Sequence, residues 1–270
     1  MNDAADMNGI NAALRDDDLT GAVAAAAAAV KTRPADAAAR FALIDLLILQ
    51  GNYERADRQA DLAATFAPEQ ATAIGILRGL LRGMASRADW FERGATPSFP
   101  FGPSETDQAA LRLALASRDG EADASALDAL DTVPERRWRL NGRAINGLRD
   151  ADDRTAHLVE AVTAGGAYLW IDLRHVTRMT LAAPRRPRDL AWREARVELH
   201  DGSAADLLVP LAYHPPAGHA AEDAHRLARR TDWVETGAGR AVAGLGARCW
   251  LAGDDLVALA EVEVLEAVHE

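Results

Sequence analysis

The chain is short of several things, and each shortage closes off a class of protein. It has one cysteine, Cys249, so no internal disulfide can staple it. It has only six serines and no Gly-x-Ser-x-Gly motif, which removes the common serine-hydrolase arrangement. No phosphate-cradling Walker A loop is present. Lysine is almost missing, with Lys31 alone against 29 arginines. That skew is what a GC-rich genome produces, so the abundance of alanine and arginine says little about function. Long hydrophobic runs are missing too. The stretch Ala22 to Val30 is nine small apolar residues, far short of the ~20 needed to cross a bilayer. Met1 to Asp18 carries five aspartates and no apolar segment, so no secretory signal is expected there. A soluble, cytoplasmic protein with no membrane insertion is the expectation.

Charge divides the 270 residues unevenly. Residues 1–135 hold 21 acidic and 12 basic side chains, a net of −9; residues 136–270 hold 20 and 18, a net of −2. An acidic first half disfavours nucleic acid, which needs clustered Lys and Arg. It suits a basic or amphipathic partner.

The first quarter contains an echo. Leu19, Ala22, Ala26, Ala29 and Pro34 recur 34 residues later as Tyr53, Ala56, Ala60, Ala63 and Pro68. Thirty-four is the period of the tetratricopeptide helix–turn–helix unit, a surface for holding another polypeptide. Asp36 caps the apolar run Phe41 to Leu49, Gly51-Asn52 breaks it, and Tyr53 to Phe66 returns. Leu43, Leu46, Leu47, Leu62 and Phe66 are expected in its core. Arg40 stands where the repeat pattern usually has an aromatic. An ordinary αα-hairpin bundle is the plainer alternative. Ala71 to Arg87 reads as a further helix, with Trp90-Phe91 beginning its partner. More helix is expected after Ser104 and over Ala124 to Leu130.

Past residue 137 the period changes. Tyr168 to Ile171 and Val176 to Leu181 read as strands. Arg196 to His200, the turn Asp201-Gly202 and Leu207 to Leu211 read as a hairpin. Arg154 to Val162 and Ala221 to Arg230 are expected as helices, and Cys249 to Leu265 as a last hairpin. The fold class is therefore α+β multidomain. A tetratricopeptide-like all-α domain (1–137) is followed by an α+β domain with antiparallel strands (138–270).

Sites for chemistry are thin. Gly237, Gly239, Gly244 and Gly246 have the wrong spacing for a dinucleotide loop. His214, His219 and His225, with Glu222 and Asp223, are the nearest approach to a metal cluster, but zinc needs three or four converging ligands. Asp150, Asp152 and Asp153 fit better as complements to a helix dipole than as a cation site. No catalytic residue, metal or cofactor is expected. Arg185, Arg186 and Arg188, interleaved with Pro184 and Pro187, form a basic loop that suits solvent, an acidic partner or the chain's own acidic half. A repeat that grips C-terminal carboxylates would need Lys, Arg or Asn at the positions of Met7, Asn11 and Ala42, and only Asn11 fits. The candidate partner-binding residues are Asn11, Arg40, Asp45, Arg185, Arg186, Arg188, Arg229, Arg230 and Trp233.

Four motifs in order carry a resemblance. They are Asp150 to Arg154 followed by Leu158 to Ala161; Arg188-Asp189-Leu190-Ala191-Trp192; Val197-Glu198-Leu199, Asp201-Gly202 and Val209-Pro210; and Arg226 to Trp233. With Pro34, Asp36, the Phe41-to-Leu49 helix and Gly51 to Ala56, the chain resembles the ImpE family of type VI secretion accessory proteins, also called SciE or TagJ. The resemblance covers roughly residues 20–265. It departs at Gly147, where a bulky residue is expected, and in the length of 214–220. It implies a non-catalytic adaptor that binds an amphipathic helix of the small contractile-sheath subunit and the ClpV unfoldase, assisting sheath assembly or disassembly. A general peptide-binding repeat module, or a metal-dependent enzyme in the second half, are the alternatives.

Overall fold

The computed structural model describes residues 2–237 and 239–268. Five helices lead: α1 (Asn2–Arg15), α2 (Leu19–Thr32), α3 (Ala37–Leu49), α4 (Tyr53–Phe66) and α5 (Ala71–Arg93). The echo in the sequence is also an echo in the backbone. Helices α2 and α4 are both 14 residues long, and their cap residues Asp18 and Asn52 accept from the N–H groups of Gly21 and Arg55. Each helix closes on a residue of nearly the same conformation, Arg33 at φ −131°, ψ 76° and Ala67 at φ −135°, ψ 64°. The proline that follows each one disfavours helix at that closing residue. Ala22, Ala26, Ala29, Ala56, Ala60 and Ala63 are all buried, and their small side chains let neighbouring helices approach closely.

Two expectations for this half need correction. Trp90 and Phe91 start no new helix; α5 runs on through them to Arg93 and ends at Gly94, whose φ of 78° breaks the helix. Leu43, Leu46 and Leu47 are core, but Leu62 and Phe66 are 47% and 42% exposed. The alanine stripe holds the inward face of α4, and Leu62 and Phe66 fall outside it. The Arg40 guanidinium lies 5.3 Å from the Phe66 ring centroid.

Helices α6 (Glu105–Arg118) and α7 (Ala124–Asp131) follow. Ser104 and Asp107 cap α6 reciprocally at 3.0 and 2.9 Å. Strands then begin: β1 (Arg137–Leu140), β2 (Arg143–Asn146), β3 (Leu148–Asp150), β4 (Leu158–Val162), β5 (Tyr168–Asp172), β6 (Val176–Leu181), β7 (Trp192–Leu199) and β8 (Ala204–Pro210). After a short helix, α8 (Asp223–Arg226), come β9 (Thr231–Thr236), β10 (Ala241–Gly246), β11 (Cys249–Ala252), β12 (Asp255–Ala258) and β13 (Val264–Ala267). Eight strands form one antiparallel sheet in the order β2-β1-β13-β6-β7-β8-β4-β5. Strands β9 and β10 pair separately, as do β12, β11 and β3.

Three expectations for this half also change. Arg154 to Val162 is not a helix: a 3-10 turn over Asp153–Thr155 leads into β4. Every β4 side chain is buried because both faces of the strand are covered, and that continuous burial masks the period of two. The helix expected over Ala221 to Arg230 shrinks to α8, and Thr231 onward is strand. The last hairpin ends at Ala258, and β13 crosses back to lie between β1 and β6.

The large sheet is covered on both faces. Leu158 and Val162 of β4, with Trp170, Trp192 and Leu208, join α3, α4 and α5 in one core. Val159 and Ala161 point the other way, into a second core with Trp138, Met179, Val197 and Leu265. The helical half therefore shares its core with the sheet. Among the described residues no helix is long and apolar enough to cross a membrane.

Candidate functional site

The repeat geometry fixes what the helices show to the sheet. Positions 34 apart on successive first helices are Asn11, Asp45 and Gly79, and one turn later Arg15, Leu49 and Gly83. On α1 both side chains are exposed. On α3 Asp45 is buried, and Arg188 Nη1 donates to its Oδ1 at 3.3 Å. On α5 a Cβ on Gly79 would collide with the Ala164 carbonyl, and one on Gly83 with Val162. The inward stripe of α3 and α5 is thus filled by the chain's own second half, through the turn Pro187–Leu190 and the β4–β5 loop. The groove such a repeat could offer is therefore closed along α3 and α5.

Beneath that contact lies a charged seam. Arg87 of α5 donates Nε and Nη2 to Glu160 of β4 at 2.7 and 3.1 Å, and Nη2 also to the Ala212 carbonyl at 3.0 Å. Arg248 and the Tyr168 hydroxyl bond the same carboxylate. Arg248 Nε stands 3.4 Å from Asp150 Oδ2, close enough for an ion pair but without hydrogen-bond geometry. Burial pushes Asp150 up to about 6 against the pull of Arg248. Asp152 holds Arg154 at 2.6 Å and accepts the Gly244 N–H at 2.9 Å. Phe91 packs into this seam. Its ring is stacked on His214 at 5.0 Å and 8°, with the Arg154 and Arg87 guanidinium carbons 5.1 and 5.5 Å from its centroid. Burial, then Arg87 and Arg154, drive His214 down to about 3, so it is a neutral ring at ordinary pH.

The sequence-level candidates divide accordingly. Arg188 and Asp45 bind each other, and burial outweighs their attraction, raising Asp45 to about 6 and lowering Arg188. Arg229 pairs with Asp17, and the Thr20 N–H donates to Asp223 Oδ2 at 3.0 Å, so a second bridge joins the halves. Arg40 is buried, donating to Gln59 and to the Pro34 carbonyl at 2.6 Å each. Arg230 pairs with Glu222 at 2.8 Å and Asp232 at 3.1 Å. Asn11, Arg185, Arg186 and Trp233 are exposed, and Trp233 meets Tyr213 edge-on at 5.9 Å. The side chain of Met7 lies outside the described residues.

The three histidines do not come together. His214 stacks on Phe91, His219 is exposed, and His225 bonds Asp232 at 2.8 Å. Asp150 and Asp152, read as helix-dipole complements, are instead the buried counter-charges of Arg248 and Arg154. Among the described residues no group of three or more His, Cys, Asp or Glu is placed to hold a metal. Sequence reasoning missed Arg87, Glu160 and Arg248. The one available signal was Glu160 itself, a lone carboxylate inside the apolar run Leu158 to Val162.

Two cavities open on the surface, the second against the seam. One of about 1160 Å³ lies where the helices give way to β1 and β2, and carboxylates and arginines are mixed along it. The other, about 590 Å³, lies between the α3–α4 turn, α5 and the 212–221 segment.

Comparison with known proteins agrees with this architecture. The chain is similar to the type VI secretion system accessory component TagJ of Pseudomonas aeruginosa, at 27% identity over 211 residues, covering 77% of this chain and 74% of that protein. A crystal structure of protein VPA1032 from Vibrio parahaemolyticus shares the fold with a TM-score of 0.88 at 24% identity, over 97% of this chain and 98% of that one. Residues 142–266, which hold most of the seam and the sheet but for β1, match the model of the ImpE protein family.

Proposed function

We propose that this chain is a non-catalytic accessory protein of a bacterial type VI secretion system, acting in the cytoplasm as an adaptor. Its partners are the small contractile-sheath subunit, through an amphipathic helix, and the ClpV unfoldase. The similarity to TagJ, which runs through both halves, carries this reading. The seam supports it, because its charged groups are committed to one another, with Arg87–Glu160 bracing one half on the other.

The sheath helix seats on the acidic helical half, outside the stripe that the second half fills. Leu62 and Phe66 on α4 offer exposed apolar anchors one turn apart, and the net −9 of residues 1–135 favours a basic face on the helix. Isothermal titration of the full chain with the small sheath subunit tests both points. Binding that drops at least tenfold in Leu62→Glu and Phe66→Glu, about 1.4 kcal/mol, is expected. No binding by the unaltered chain would refute the adaptor role. Binding that ignores both substitutions would refute only the placement.

A further inference from the structure

The 590 Å³ cleft differs in charge from the rest of the molecule. The chain carries a net −11, yet the cleft is lined by Arg87, Arg118, Arg226 and three histidines against one carboxylate, Glu92. Some of these groups are spent. Arg87 serves Glu160, His214 is neutral, and His225 bonds Asp232. Three retain capacity at the walls. Among the described residues the Arg226 guanidinium pairs with Asp223 Oδ1, at 3.3 Å, and no other carboxylate, while the other oxygen of that carboxylate takes the Thr20 N–H. Arg118 holds the adjacent Asp119 through Nε and Nη2, at 2.8 and 3.1 Å, leaving Nη1 for another acceptor. His219 is exposed, with one ring nitrogen near the Ala217 carbonyl at 3.1 Å. Between these groups the lining is apolar, from Ile48, Leu49, Met84, Phe91 and Pro215.

We infer that this cleft is a docking site for an acidic segment of a protein partner, its apolar side chains on the half-buried Phe91 and Pro215 and its carboxylates on Arg118, Arg226 and His219. Clefts between two packed halves are favoured binding places, and charge complementarity sets partner choice and encounter rate. The inference goes beyond the accessory role and does not depend on it: a basic sheath helix would seat on α4, and this cleft takes the opposite charge.

The probe is a fluorescein-labelled peptide of alternating glutamate and leucine, with its lysine–leucine counterpart as control, read by anisotropy on the full chain. The glutamate peptide should bind, more weakly as salt rises. Affinity should fall about tenfold in Arg226→Glu and in His219→Glu, the latter in an exposed loop, and stay unchanged in Arg196→Glu, an exposed β7 residue outside the cleft lining. Equal binding of the two peptides would overturn the inference. So would affinity that neither cleft substitution alters, measured on variants whose unfolding midpoints match the parent.

Discussion

Arg87 and Glu160 stand 73 residues apart in the chain and form a buried two-point ion pair, at 2.7 and 3.1 Å, that joins α5 to β4. Both side chains are almost fully shielded, and Arg248 leans on the same carboxylate. An arrangement of this kind is costly to break, because removing one member strands the others in a low-dielectric interior.

Glu160→Ala strips the buried Arg87 of its counter-charge and leaves Arg248 with Asp150 at 3.4 Å. Urea unfolding should show a loss of ~3–5 kcal/mol. Glu54→Ala, which removes an exposed pair with Arg58, should stay within about 1 kcal/mol. Equal effects would mean that water reaches the seam.

Gly79→Ala tests how closely the halves approach. Helix propensity alone favours alanine by ~1 kcal/mol. The Ala164 carbonyl occupies the space its methyl needs, so a net loss of ~1–3 kcal/mol is expected. Gly75→Ala, one turn away with open space around it, should instead stabilise. A thermal midpoint raised by both substitutions would contradict the packing of α5 on the β4–β5 loop.

The three arginines of the basic loop should separate by role. Arg188→Ala unpairs the buried Asp45 and should cost ~1–3 kcal/mol, with faster amide exchange over 184–191 and α3. Arg185→Ala and Arg186→Ala, on exposed side chains, should change stability by no more than about 0.5 kcal/mol. Three indistinguishable variants would show that the loop is not docked on α3.

His214 should make the protein acid-sensitive. Its folded value of about 3 lies below the ordinary 6.5, so between those values the unfolded chain binds more protons. Stability then falls as pH drops through that window, by about 4 kcal/mol in all from this one ring. Asp45 and Asp150, raised to about 6, act with the opposite sign, so the difference between parent and His214→Phe is the measurement. The groups facing the ring are Arg87, Arg154 and Glu92, and phenylalanine keeps the stack on Phe91. Unfolding curves that run parallel from pH 7 to pH 3 (the span of the titration) would rule the effect out.

What the sequence determined by itself is local. A 34-residue period needs only cap residues, small residues at helical spacing and a closing proline, and all of these lie within a few residues of where they act. The hairpin of β7 and β8 was legible for the same reason: Val197 and Leu199 alternate with polar neighbours, and Gly202 turns the chain at φ 84°. The strand β4 was not, because burial on both faces erases the alternation by which a strand is recognised. Only tertiary structure decided which charges are sites and which are braces. Asp45 reads as a groove residue until Arg188 arrives from 143 positions away, and Glu160 reads as an isolated carboxylate until α5 brings Arg87 to it. Such partners are chosen by where the sheet lands on the helices, and Gly79 and Gly83 set that landing by having no side chain to hold it off.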